Sequence, residues 1–344
     1  MFREFYGLSE QPFGVTPDPR YLYLGAGHRE VLASLFYGLE TNRGFLALIA
    51  QPGMGKTSLL FHLLEKFRAS ARTVFVFQTQ CTSRELMRFM LAELGCDSNE
   101  QDFVRMHEEF NRTLLQEAKA GRRFIVVIDE AQNLEPAVLE TVRLLSDFET
   151  PRAKLLQIVL AGQPELADKL SSPQLGQLRQ RISSVSGLSP LTPEETGQLI
   201  DHRLRVAGYH GTSLFTPQAK ALIAEISEGI PRNIINNCFN ALSLAFAIRQ
   251  KAVDAAMVRE VAEDLDVSRW ITKRVSTQQP TPTVWSENSP ERRASVGSLS
   301  SQSAGEEAVT PLEAQAYMQH VTKLLRARER AMNAPCPVDK YPNA

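Results

Sequence analysis

The sequence predicts an α/β fold, a parallel sheet with helices on both faces, followed by a small all-helical domain. Three observations predict it. Short apolar runs recur at residues 45–49, 73–77, 124–128 and 155–160, with helical periodicity between them. Strands that alternate with helices pack as a parallel sheet covered on both sides. The first run breaks into Pro52, Gly53 and Gly55 and continues as a helix led by Lys56, Thr57 and Ser58, and the third ends in Asp129 and Glu130. After residue 189 only helical patterns remain.

Each element has its own signal. Residues 1–27 are rich in aromatics and proline and carry neither period, so they read as an N-terminal arm. Two roles stand open for it: packing on the core, or covering a bound base. Residues 28–42 place Val31, Leu32, Leu35, Phe36 and Leu39 on one helical face. Helices are expected at 84–94 and 103–118, and at 136–148 with Val138, Leu139, Val142 and Leu145 in register. A last strand is expected near 183–188. Beyond it, Thr192-Pro193-Glu194-Glu195 is a capping box with proline at the first helical position. That helix stops near Gly208. Others start at Thr216-Pro217, at Pro231 and near Asp254. Residues 269–311 are rich in Ser, Thr, Pro and Gln and read as a disordered linker. Residues 312–332 recover a helical stripe of Ala314, Met318, Val321 and Leu325, with Lys323, Arg326, Arg328 and Arg330 near its end, and 333–344 form a tail. The expected division is therefore an arm (1–27), an α/β core (28–189), a helical lid (190–268), the linker, the short amphipathic helix and the tail.

Composition narrows the classes. A chain of 344 residues can hold two domains and a sizeable core. A net charge of -1 gives no global pull toward nucleic acid or an anionic membrane. Cys81, Cys96, Cys238 and Cys336 form no CxxC pair, which argues against a zinc site. The N-terminal MFREFYGLSE lacks the apolar core of a signal peptide, and no apolar run is long enough to span a bilayer. The expectation is a cytoplasmic chain without a transmembrane segment, at most peripheral to the inner membrane through a partner.

The chemistry sits in two motifs. Residues 51–58 (Gln51, Pro52, Gly53, Met54, Gly55, Lys56, Thr57 and Ser58) form a phosphate-binding loop between strand and helix. Glycines let the backbone wrap a polyphosphate, and the helix N-terminus adds donors and a positive dipole end. Lys56 is expected to neutralise the β- and γ-phosphates of ATP, and Thr57 to place its hydroxyl on Mg²⁺. Ala50 stands where the full pattern has glycine, and alanine restricts the backbone there. The second motif is the run FIVVIDEAQNL. Asp129 is expected to hold Mg²⁺, and Glu130 to polarise the water that attacks the γ-phosphate. Taken together, the two motifs imply nucleotide hydrolysis.

These residues, with PFGVTPDPRYLYL, HREVLASLFYGLE, IVLAGQPEL, LRQRI, LTPEET and GIPRNIINN, resemble the AAA+ ATPases of the general-secretion-pathway protein A (ExeA) type over about residues 1–268. The core is also similar to origin-recognition and transposition-regulator ATPases. The resemblance implies an ATPase core, a helical lid and self-association into a ring or partial ring. It implies roles for Gln163 as a sensor of the γ-phosphate, for Arg232 as the lid's second sensor and for Ile230 at the adenine. Arg181, or alternatively Arg179, is the implied finger to a neighbouring subunit's nucleotide. The linker and short terminal helix depart from the secretion proteins, which continue into a membrane span. The terminal helix stands open between folding back on the core and docking an unidentified protein partner. A motor or switch for envelope assembly, secretion or surface-polymer export is the first reading. A DNA-associated ATPase is the weaker one, since no DNA-binding domain is apparent in the sequence.

Overall fold

The computed structural model describes residues 2–14, 18–77, 79–96, 102–147, 149–150 and 153–265. The expected linker, terminal helix and tail lie outside the described residues. Five strands form one parallel sheet: β1 (Phe45–Ile49), β2 (Ala71–Val76), β3 (Arg123–Ile128), β6 (Leu156–Gly162) and β7 (Ile182–Gly187), in the order β2-β3-β6-β1-β7. Between β3 and β6 lies a two-stranded antiparallel ribbon, β4 (Glu149–Thr150) with β5 (Ala153–Lys154).

Alternation along the strands builds two cores, because successive side chains point to opposite faces. Val74, Val76, Phe124, Val126, Ile128, Ile158 and Leu160 face one side. There they meet Leu86 and Met90 of α4 (Ser83–Glu93), Phe110 of α5 (Phe103–Lys119) and Leu139 of α6 (Pro136–Leu145). Leu166 of α7 (Pro164–Ser171) and Leu178 of α8 (Gly176–Arg181) complete that layer. Leu46, Leu48, Phe75, Ile125, Val127 and Val159 face the other side, against Leu35 of α2 (Ala26–Glu40) and Leu59 and Leu63 of α3 (Lys56–Phe67).

A third apolar cluster joins α9 (Pro193–Val206), α10 (Pro217–Ile226), α11 (Pro231–Ala247) and α12 (Ala255–Leu265). All but α12 start at proline in the first turn, and α9 carries the anticipated capping box between Thr192 and Glu195. The N-terminal arm completes this cluster with Tyr6, Leu8, Phe13 and Tyr21. Its attachments are polar as well as apolar. Tyr6 Oη donates to the carbonyls of Leu242 (3.1 Å) and Gln250 (3.2 Å). The buried Arg203 guanidinium donates to the Pro12 (2.7 Å) and Gly14 (3.1 Å) carbonyls and lies over the Tyr21 ring. The arm thus packs mainly on the helical cluster, and it opens with a short helix, α1 (Phe2–Tyr6), that its lack of periodicity did not reveal. Two further departures are local. Helix α6 ends at Leu145 rather than near residue 148, and α7 and α8 occupy a stretch read only as motifs.

Among the described residues, no helix is long and apolar enough to cross a membrane.

Candidate nucleotide site

Three strand ends meet at one rim of the sheet. Parallel pairing sets Ile49 opposite Gly162 and Ile128 opposite Leu160, so the loops after β1, β3 and β6 leave at the same level. The loop after β1 turns on two glycines in left-handed backbone, Gly53 (φ 79°) and Gly55 (φ 85°). These are angles that residues with a Cβ rarely adopt. Ala50 is not among the positive-φ positions, and its N–H donates to the Gly162 carbonyl as a continuation of the sheet. Its methyl is buried in the core, so alanine fits where the pattern has glycine. Met54 also buries its side chain there, leaving its backbone to the loop, and its carbonyl pairs with Nε2 of the buried His28 at 3.1 Å.

Helix α3 begins at Lys56, and the residue before it, Gly55, supplies no side-chain cap. An uncapped N-terminus keeps donors and positive potential for an anion. Lys56 is buried, and its Nζ donates to the carbonyls of Ala50 (2.8 Å) and Gln51 (3.2 Å). Burial pushes its pKa below the usual lysine range, while Glu130 and Asp129 pull the other way. Thr57 Oγ1 donates to Asp129 Oδ2 at 2.5 Å. Asp129 is 3% exposed, and burial raises its pKa despite the Thr57 hydrogen bond. Glu130 follows in left-handed backbone (φ 51°), uncommon for a residue with a side chain. Its carboxylate accepts from the amides of Gln132 (2.5 Å) and Gln163 (3.1 Å). Gln51, Pro52 and Ser58 lie on the loop and first turn, the first two exposed.

The lid touches this site directly. The Arg232 N–H, in the first turn of α11, donates to the Gly53 carbonyl at 3.1 Å. A Cβ on Gly53 would stand 2.9 Å from Arg232 Cβ and 3.1 Å from Ile230 Cγ2. The Arg232 charge is near enough to depress the Lys56 pKa. The structure therefore gathers Lys56, Thr57, Asp129, Glu130, Gln163, Ile230 and Arg232. It does not bring in Arg179 or Arg181. Arg181 pairs with Asp147 and donates to Ser146 Oγ (3.2 Å) at the end of α6, and Arg179 is exposed.

Sequence reading missed His28, Gln132 and Lys169. Lys169 donates from α7 to the carbonyls of Gln132 and Leu134, pinning the turn after the two acids. Gln132 stood inside the quoted acidic motif and His28 at the head of the quoted HREVLASLFYGLE, and Lys169 lay in no quoted motif.

The donor set suits a hard cation. A threonine hydroxyl and a carboxylate are oxygen ligands of the kind Mg²⁺ takes while keeping phosphate and water as its other partners. Among the described residues no group of three or more His, Cys, Asp or Glu could hold a metal ion.

A glycine loop on β1, adjacent acids on β3 and a helical lid touching the loop make up the AAA+ P-loop NTPase fold. Residues 39–170 match the family model described as an AAA domain. The chain is 40% identical over 248 residues to general secretion pathway protein A of Aeromonas hydrophila, a match covering 72% of this chain and 45% of that protein. It thus spans under half the length of that relative. It is 27% identical over 281 residues to an uncharacterised HTH-type transcriptional regulator of Methanocaldococcus jannaschii, covering 70% of this chain and 66% of the regulator. In fold it resembles the ORC2 protein of Aeropyrum pernix, with TM-score 0.57, 16% identity, and coverage of 74% of this chain and 71% of that one.

The burial of Asp129 generates a test. A raised carboxyl pKa means that the ionised form costs stability in the fold, a cost felt above that pKa. Asp129→Asn removes the charge, keeps an oxygen for the Glu130 N–H and turns its amide N–H to the Thr57 hydroxyl, which can accept as well as donate. Without nucleotide its unfolding temperature should equal or exceed wild type, by an amount corresponding to ~1 kcal/mol, while ATP turnover falls at least about 100-fold. A clear drop in Tm by calorimetry would show that the Asp129 charge supports the fold.

Proposed function

We propose that the chain binds ATP with Mg²⁺, hydrolyses it, and uses the cycle to switch a protein assembly. The carrying observation is the convergence of Lys56, Thr57, Asp129 and Glu130 on one rim, with Arg232 of the lid on the same loop. Lys56 exchanges its two loop carbonyls for phosphate oxygens, and its depressed pKa recovers beside that negative charge. Thr57 and Asp129 would hold Mg²⁺, which when bound spreads the phosphate charge. Glu130 takes a proton from water as the water oxygen bonds to the γ-phosphorus. The bond from that phosphorus to the β–γ bridging oxygen breaks, and ADP leaves with the electron pair. Gln163 holds the carboxylate that does this, in keeping with a sensor role. Arg232 adds lid charge at the phosphates, and Ile230, beside Gly53, supports a role at the base.

Arg181 points away from its own site to Ser146 and Asp147, where a neighbouring copy's nucleotide could receive it in a ring or partial ring. Its ion pair with Asp147 is partly exposed and weak enough to be exchanged. Arg179 is the alternative finger. The likeness to a general secretion pathway protein supports a role in secretion, envelope assembly or surface-polymer export, with a protein partner and a place at the cytoplasmic side of the inner membrane. A second reading, a DNA-associated ATPase, is favoured by the likeness to an HTH-type transcriptional regulator.

Four measurements test these readings. Lys56→Ala should abolish ATP binding by calorimetry, and Glu130→Gln should bind ATP yet lose about 10²–10⁴ in turnover. Unchanged affinity in the first, or wild-type turnover in the second, removes the assigned role. Mixing Arg181→Ala with Lys56→Ala should regain turnover that neither has alone, because one interface then carries an intact loop and an intact finger. No regain in a demonstrated mixed oligomer would remove Arg181 as a finger acting between subunits. For the DNA reading, duplex should stimulate ATPase activity and bind with an affinity that falls steeply with salt. Absence of both rejects it.

A further inference from the structure

Glu130 sits in a closed ring of hydrogen bonds that the ATPase motifs do not account for. Gln132 Nε2 donates to Glu130 Oε2 at 2.5 Å, and Gln163 Nε2 donates to the same oxygen at 3.1 Å. The other end of the Gln132 amide, Oε1, accepts from the Gln163 backbone N–H at 3.1 Å. One glutamine thus uses both ends of its amide to tie the acid after β3 to the residue after β6.

Three further features fix the ring. Gly162 leaves the space for it, since a Cβ there would stand 2.8 Å from Gln132 Oε1 and 2.8 Å from Leu166 Cδ2. Lys169 clamps the Gln132 and Leu134 carbonyls from α7, the helix that Gln163 precedes. Finally, Glu130 holds its left-handed backbone because its own peptide groups are engaged. Its N–H donates to Asp129 Oδ1 and its carbonyl accepts from the Asn133 N–H, both at 3.0 Å. Such a conformation in a residue with a side chain persists only where its surroundings over-determine it.

We propose that Gln132 is a positioning residue for hydrolysis, locking Glu130 to Gln163 so that one carboxylate oxygen is held by amides and the other is presented to water. This rests on the reading of Glu130 as the group that takes the proton from water. The geometry makes Glu130 and Gln163 one unit: a shift of the β6 end drags the carboxylate through both arms of the ring. Gln132 itself touches no substrate, and its effect falls on the step after binding.

The test is a set of variants of the full chain, each measured for ATP affinity, thermal stability, kcat and KM. Gln132→Met keeps length and bulk but cannot hydrogen-bond. It should lower kcat roughly 10–100-fold, as for a catalytic group displaced by about 1 Å, with KM and ATP affinity within about twofold of wild type. Gly162→Ala, whose backbone is not in the left-handed region, should do the same by pushing the amide aside. A merely structural glutamine would lower thermal stability and would not lower kcat while KM and ATP affinity stay put. Wild-type kcat in Gln132→Met overturns the proposal, provided Glu130→Gln is inactive. If Glu130→Gln itself turns over ATP, the role of Glu130 falls, and the positioning role falls with it.

Discussion

Everything at this rim depends on β6 lying between β1 and β3. With neighbouring strands ~4.8 Å apart, the ends of β1 and β3 stand about 10 Å from one another. Neither motif could reach the other across that gap from the strands alone. The loop after β1 closes it by turning back on Gly53 and Gly55 and starting α3 above the sheet, which brings the Thr57 hydroxyl within 2.5 Å of Asp129. The intervening strand supplies the third participant, Gln163, from its own end. Strand order, rather than any single side chain, makes one site of three loops.

Burial gives the site its electrostatic character. A lysine and an aspartate, both nearly sealed from water, disfavour their own charges. Loop carbonyls and a threonine hydroxyl satisfy them. An arrangement of this kind is weak evidence for stability and is better explained by a ligand that completes it. The lid is built into the same balance. Gly229 has φ 69°, and a Cβ there would come 2.2 Å from the Leu191 carbonyl oxygen, so the approach to Ile230 and Arg232 is as tight as backbone allows. Glu195 reinforces it, capping its own helix at Thr192 and accepting from the Ala26 N–H of α2 at 2.6 Å.

Much of this was legible in the sequence, for reasons that can be named. The strand runs around Leu46, Val126 and Val159 are continuous and apolar because parallel strands are buried on both faces. The prolines at 193, 217 and 231 mark helix starts because a missing N–H costs nothing there. Ala50 looked like a departure from the loop pattern, yet the unusual angles fall on Gly53 and Gly55. What stayed hidden was tertiary. Gln132 and Gln163 lie 31 positions apart and meet only because β3 and β6 are neighbours. Helices α7 and α8 are short, with few core residues each, too few to establish a period. The arm lacked a pattern because its aromatics answer to surfaces formed by distant helices.

That last feature bears on how the molecule is made. The cluster around α9 to α12 is discontinuous in the chain: Tyr6 hydrogen-bonds to Leu242 across 236 positions. During synthesis the arm emerges before its partners, and its aromatic rings stay uncovered until the last of these helices has left the ribosome. Closure over so large a separation is entropically slow. The sheet, whose strands end by Gly187, can assemble well before it. A growing chain with a finished sheet and an exposed aromatic arm is the species most open to wrong contacts.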